Sequence, residues 1–414
     1  MRLAVVLIGA SAWFVASTAV AQPAAAPIVE IQAHGNYVTP DAEVVAMSGL
    51  RVGEAASEAT LAAALARLEA SGRFAAADVQ KLSRSIDDPN DVVVMLFVEE
   101  LPGASVDVPR PGWLTQTAAG LQWLPVLRYD EGYGVTYGLQ PAVADLAGAS
   151  SRLSVPLTWG GERRAALDFT RSFAGPIVSR FAASADIRRT EHPAFRVIER
   201  RTGGRARVER QLGSSLRLGA AAAREQVRFG EERGDVTAYT ADLTLDTRLD
   251  PAFPRNAVWG RAELGRLDVA TGVRRRHRID GHVAVGLVAG SALTLSAFQI
   301  SADGALPAYE QAMVGGGPSL RGYRLGYRVA DNAAGASASW ALPLGSPLHM
   351  ARIGVRLFAD WAGVYQAGTK WQDAAYDRGV GAGWFAQAPG FTLGLDVARG
   401  RDQWRAHFRM GTRF

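Results

Sequence analysis

The residues from Trp404 to the end of the chain alternate without a break. Trp404, Ala406, Phe408, Met410, Thr412 and Phe414 fall on one face of an extended chain, and Arg405, His407, Arg409, Gly411 and Arg413 on the other. A side-chain period of two is that of a β-strand. Apolar residues backed by arginines suit a strand with lipid on one side and a wet lumen on the other, whereas a soluble sandwich would not set so many Arg and Gly on its second face. The pattern recurs upstream. Leu153, Val155, Leu157 and Trp159 oppose Arg152, Ser154 and Thr158, and Ile353, Val355 and Leu357 oppose Arg352, Gly354 and Arg356. From Gly112 onward helical periodicity is absent, and such stretches lie between Gly, Asp and Pro turns. Counting back from Phe414 predicts sixteen antiparallel strands in 112–414, the first near 117–127, the third at 151–159 and the tenth at 281–290. An even number with both ends on the periplasmic side is what a single-chain bacterial barrel requires. That count puts the longest connection, roughly 302–334, on the extracellular side between strands eleven and twelve.

The rest of the chain fits an exported protein. Met1 to Ala21 reads as a signal peptide: Arg2 is the positive end, Leu3 to Ala16 the apolar stretch, and Ala19-Val20-Ala21 the small-residue cleavage site. Residues 22–26 form an Ala/Pro linker. Mean hydropathy is +0.01, and no later stretch reaches the roughly 20 apolar residues of a spanning helix, so a polytopic helical protein is excluded while a barrel is not. The absence of cysteine fits an oxidising compartment and excludes thiol and cysteine-metal chemistry. Net charge is +5 and Lys81 and Lys370 are the only lysines, so the basic character is arginine's. In an exported protein that points to anionic lipid or an electropositive pore and not to nucleic acid.

Between the linker and the strands, residues 27–102 have an α+β rhythm. Ile28-Val29-Glu30-Ile31 is a strand leading to the turn Gly35-Asn36. Thr39, followed by Pro40, is the expected N-cap of a helix ending near Gly49. Ser57 opens a second helix with Leu61, Leu65 and Leu68 on one face, and Gly72 stops it. Strands at 77–82 and 92–99 close the unit.

Taken together, the Gly35-Asn36 turn, Gly49-Leu50…Gly53, Leu68…Gly72-x-Phe74 and the closing strand ending at Glu99 resemble a POTRA domain. POTRA domains are periplasmic modules that contact other polypeptides, often by adding a strand to a sheet edge. In the long connection, Gly315-Gly316-Gly317-Pro318-Ser319-Leu320-Arg321-Gly322-Tyr323 resembles the V-R-G-F/Y signature of the BamA/TamA superfamily of outer-membrane assembly barrels, also called the bacterial surface antigen family. Leu320 stands where Val is commoner. The resemblance implies that this loop folds back into the lumen and that Arg321 meets an acidic residue on a nearby strand. Asp360, beside Phe358 on the arginine face of its strand, is the expected partner. Leu245 to Pro254 is similar to the family's turn between strands eight and nine, and Phe358-Ala359-Asp360-Trp361-Ala362-Gly363 to its F-x-D-x-G strand, with Ala362 where Gly is usual. The aromatic ending, with Trp404, Phe408 and Phe414 on one face, resembles the signal read by the barrel-insertion machinery; Phe414 equally suits an interfacial aromatic girdle.

The expected function is therefore an outer-membrane barrel that inserts or translocates polypeptides, its POTRA domain receiving a client in the periplasm. The alternative is a passive diffusion channel with that domain as plug or tether. No catalytic motif, cofactor fingerprint or metal-ligand spacing is present in the sequence, the six histidines included, so the chain is expected not to be an enzyme. Arg274-Arg275-Arg276-His277-Arg278 is expected on an extracellular hairpin, near lipopolysaccharide phosphates or idle in solvent.

Overall fold

The computed structural model describes residues 26–83, 91–346, 351–388 and 391–412. The expected signal peptide, Phe414 and His349 lie outside the described residues, as does all of the linker except Ala26. The chain divides into two units, one up to Gly120 and one from Leu121 onward.

The first unit runs β1 (Ile28–His34), α1 (Asp41–Ser48), α2 (Glu58–Ala70), β2 (Phe74–Ser83), β3 (Val92–Glu100) and α3 (Trp113–Ala119). Its sheet has the order β1-β3-β2, with β1 parallel and β2 antiparallel to the central β3. Central position explains the apolar run Val92-Val93-Val94-Met95-Leu96, whose alternate members pack with Ile28, Val44 and Leu68 in one core. Ser57 caps α2 through a bond from the Thr60 N–H, 3.1 Å. Thr39 is not the cap of α1: Pro40 takes that place, and its carbonyl accepts the first helical N–H groups. Glu100, from the end of β3, holds the approach instead, accepting from the Tyr37, Val38 and Thr39 N–H groups at 3.0, 2.8 and 2.6 Å. Burial pushes the Glu100 carboxyl up, but these hydrogen bonds outweigh it and hold the group below the usual carboxylate range.

The second unit is a closed antiparallel barrel. Its strands are β4 (Leu121–Asp130), β5 (Gly134–Ala144), β6 (Ser151–Ser154), β7 (Leu157–Gly160), β8 (Glu162–Ser172), β9 (Arg180–Glu191), β10 (Ile198–Leu212), β11 (Leu216–Phe229), β12 (Glu232–Asp246), β13 (Ala257–Val269), β14 (Gly272–Gly286) and β15 (Ala292–Ala302). After the long connection, which holds the short pair β16 (Ala312–Val314) and β17 (Arg328–Ala330), come β18 (Asn332–Gly345), β19 (Arg352–Tyr365), β20 (Tyr376–Ala388), β21 (Phe391–Arg399) and β22 (Trp404–Thr412). Both β6 and β7 pair with β5 and β8, so they are halves of one strand and the barrel has sixteen. The break falls at Val155–Pro156, inside the expected strand 151–159, because proline has no N–H to continue the ladder.

Two other expectations shift. The first strand starts at Leu121, later than 117, because Trp113–Ala119 is helical. The basic run is not on a hairpin loop: Arg274 to Arg278 lie within β14, in register with β13 from Leu267 to Glu263. The run looks loop-like in sequence because alternate members, Arg274 and Arg276, serve the interior. Arg274 Nε donates to the Ala305 carbonyl (3.1 Å) and Arg276 pairs with Glu310 (3.3 Å), both in the long connection.

Large apolar side chains, among them Trp123, Tyr137, Ile187, Leu264, Leu357 and Trp404, stay exposed along the strands. They alternate with inward arginines and carboxylates, the composition of a barrel with a hydrocarbon-facing wall. Among the described residues, β21 and β22 pair from Phe391–Thr412 to Arg399–Trp404, and β22 closes the barrel on β4 at Met410–Tyr129 and Gly411–Arg128.

Candidate functional site

The connection from β15 to β18 turns into the barrel interior. Gly315 and Gly316 take left-handed backbone conformations (φ 120° and 73°), which lets the chain reverse between β16 and β17. The tip is a self-braced hairpin: the Gly316 N–H donates to the Tyr323 carbonyl and the Leu320 N–H to the Gly316 carbonyl. Leu320 and Tyr323 are buried against Val314, Ala333 and Ala362, so the tip carries its own small apolar core into the lumen.

Arg321, 7 % exposed, is the centre of the site. Its Nε and Nη2 donate to Asp360 Oδ2 and Oδ1 at 2.7 and 2.6 Å, and its backbone N–H adds a third bond to Oδ2 at 2.9 Å. Two parallel bonds from a planar fork are a geometry that lysine cannot supply. The guanidinium also lies over the Phe358 ring, 3.4 Å from its centroid. Ser337 Oγ donates to Asp360 Oδ1 (2.7 Å), leaving that carboxylate fully occupied. On the far side Arg321 Nη1 reaches Asp396 Oδ2 (3.4 Å), which also receives Arg409, while Arg356 takes Asp396 Oδ1 at 2.6 Å. Asp360 and Asp396 are 5 % and 0 % exposed. Each buried carboxylate therefore faces more than one hydrogen-bond donor, the condition under which burial of charge is tolerated.

Close approach is built into the wall. A Cβ on Gly379 of β20 would stand 1.8 Å from the Arg321 carbonyl oxygen, so any side chain there would push the tip away. Ala362, where the family pattern has glycine, fits without disturbance: its methyl is fully buried and faces Gly335 of β18, where an added Cβ would come within 2.9 Å of it. The small residue has moved to the neighbouring strand.

A second set of bonds ties the tip to both sides of the closing seam between β4 and β22. His407 of β22 is 1 % exposed. Its Nε2 accepts from the Gly322 N–H at 2.7 Å, so the ring proton sits on Nδ1 and is donated to Glu131 Oε2 at 2.8 Å. Glu131 follows β4 directly, and the same oxygen accepts the Gly317 N–H at 2.8 Å. Tyr323 adds a bond from its hydroxyl to the Arg378 carbonyl, 3.1 Å.

Of the residues singled out in the sequence, Gly317, Leu320, Arg321, Gly322, Tyr323, Phe358 and Asp360 come together here. Trp404 and Phe408 do not: both face outward, with Phe408 packed edge-on against Tyr129 of β4 at 5.4 Å, across the seam. Sequence reasoning missed Asp396, His407, Glu131, Ser337 and Gly379. His407 and Asp396 were visible as inward members of alternating strands, but nothing local marks them as contacts of a loop 75 or more residues away.

No family model matches the chain, and no curated protein matches it in sequence. Solved structures do. BamA from Haemophilus ducreyi lacking POTRA domains 1–3 superposes with a TM-score of 0.62 at 14 % identity, over 94 % of this chain and 85 % of that one. CdiB from Escherichia coli gives 0.53 at 11 % identity, over 96 % and 92 %, and CdiB from Acinetobacter baumannii 0.51 at 13 %, over 94 % and 74 %. The chain thus has the sixteen-strand barrel fold found in BamA and CdiB.

Proposed function

We propose that this chain is a non-enzymatic outer-membrane barrel that inserts or translocates polypeptides, with the first unit acting as a single POTRA domain that receives the client in the periplasm. The observation that carries the reading is the inward loop at the closing seam, where its tip is bonded to Glu131, directly after β4, and to His407 of β22. A seam braced by a loop that can withdraw is one that can open to an incoming strand, the usual way a sheet edge recruits extended chain. The fold shared with BamA supports the same reading, as does the outward apolar wall. In the first unit, β2 is an edge strand with much of its surface exposed, which suits capture of an extended segment. Outer-membrane lipid and lipopolysaccharide surround the barrel in this scheme, the insertion machinery assembles it, and the amino-terminal signal peptide directs export.

The chain has no cysteine, so a single pair can be introduced cleanly. Tyr129→Cys with Met410→Cys places thiols on directly paired strands. Oxidation should abolish the chain's effect on the outer-membrane and surface proteome, and reductant should restore it. A sealed barrel that leaves those proteomes as in wild type, while conducting solutes as before, would mean a passive channel.

A further inference from the structure

Arginines of the lumen are for the most part matched. Arg164 holds Asp168, Arg188 holds Glu225, Arg201 holds Glu310, Arg207 holds Asp242, Arg328 holds Asp377 and Arg356 holds Asp396. One cavity breaks the rule. It measures about 800 Å³, opens to the lumen and is lined by residues of β4, β5, β6, β8, β9 and β10, none of them from the Arg321 cluster. Arg152, Arg180 and Arg205 line it, and none of the three has a carboxylate partner among the described residues. The acids that could have served are taken: Asp168 by Arg164, and Glu209 by Arg207. Arg128, also at the wall, is held by Glu162 and Asp130.

We propose that this cavity binds a multiply phosphorylated anion through Arg152, Arg180 and Arg205. Three unmatched positive charges on a concave wall raise the local concentration of anions. The guanidinium fork pairs with phosphate oxygens two at a time, which favours phosphate over halide. The layout favours more than one phosphate. Arg205 is in register with Ser184, so Arg180 lies four residues, roughly 13 Å, further along the same wall. Arg152 is in register with Thr170, which pairs with Ala182, so it lies about 10 Å around the wall between those two levels. Beside the cations, β4 adds Leu124, Pro125 and Val126 to the lining, an apolar surface that would accept an acyl chain. The chemistry therefore fits either a free polyphosphate or the phosphorylated headgroup of a lipid. The inference is independent of client handling and needs only the folded barrel.

The test is calorimetric titration of the full chain in detergent micelles with tripolyphosphate, and separately with lipid A, a diphosphorylated glycolipid. Each is run on wild type, on Arg152→Gln/Arg180→Gln/Arg205→Gln, and on a charge-matched control, Arg51→Gln/Arg196→Gln/Arg233→Gln, drawn from exposed positions. At least one probe should bind wild type below about 1 mM and weaken roughly tenfold in the lumen variant but not in the control. Binding of lipid A alone assigns the site to a lipid headgroup; binding of tripolyphosphate alone assigns it to free polyphosphate. Heat-modifiable mobility reports folding, and should the triple variant not fold, Arg180→Gln alone should still weaken binding roughly threefold. No binding of either probe, or equal loss in the control, overturns the proposal.

Discussion

The two walls of the lumen spend the same residues differently. Along β18 to β22, Asp360 and Asp396 are nearly dry, and the loop tip lies against them. On β8 the inward alternation is equally regular, yet the Arg164–Asp168 pair keeps 26 % and 29 % of its side chains exposed. What separates the two places is the tip of the long connection, which lies against Asp360 and Asp396; where another part of that connection or a second arginine covers the wall, as at Glu310 and Asp242, the carboxylate is dry there too. The number of charges on a strand therefore says little; burial decides what each pair is worth.

The contrast can be broken most sharply at Asp360. Asp360→Ala leaves the Arg321 guanidinium buried without its main partner, and should cost about 3–5 kcal/mol in urea unfolding from lipid vesicles, with the loop becoming protease-sensitive. A smaller loss is expected at the seam. His407→Ala leaves the Gly322 N–H without a partner and the Glu131 carboxylate with the Gly317 N–H alone, about 1–3 kcal/mol by the same measurement. On the wet wall, Arg164→Ala and Asp168→Ala should each move stability by only ~0–1 kcal/mol, and less in high salt. A large loss there would erase the distinction between the walls.

The first unit offers a gentler comparison, since its polar clamp is at the surface. Glu100 has a folded pKa below its ordinary value, so its contribution is complete above the unfolded pKa of about 4.3 and is lost as pH falls through the lower, folded value. Hydrogen-exchange protection of the Tyr37, Val38 and Thr39 amides should drop across that acidic window in wild type. Glu100→Gln should show weak protection at every pH, and an unchanged profile would remove the clamp.

Alternation made the barrel legible, because a period of two with arginine on the second face has few other solutions. It also fixed the face: once Ile353, Val355 and Leu357 point out, Asp360 must point in. The Arg-Gly-Tyr loop was legible through its resemblance to a known signature, and Asp360 as its partner with it. The interruption at Pro156 was open to inspection as well, since a missing N–H cannot continue a ladder, although the expected strand 151–159 ran through it. Other features were not readable, and for physical reasons. Glu131, His407 and Asp396 were not, because their meaning comes from a loop that reaches them only through tertiary closure. The arginine run of β14 misled for the same reason: its partners, Ala305 and Glu310, arrive from the other side of a hairpin and a turn into the lumen. Thr39 looked like a cap by local rules, but Pro40 stands at that place, and a carboxylate 61 residues from Thr39 holds the approach to the helix.

The central claim is that Arg321 and Asp360 act as one buried unit that holds the loop inside the barrel. A double-mutant cycle with Arg321→Ala and Asp360→Ala, read as the free energy of unfolding together with protease protection of the loop, measures that directly. A coupling of about 2–3 kcal/mol, with the loop equally exposed in all three variants, is predicted. Effects that add to within ~0.5 kcal/mol, with the loop still protected in either single variant, would contradict it.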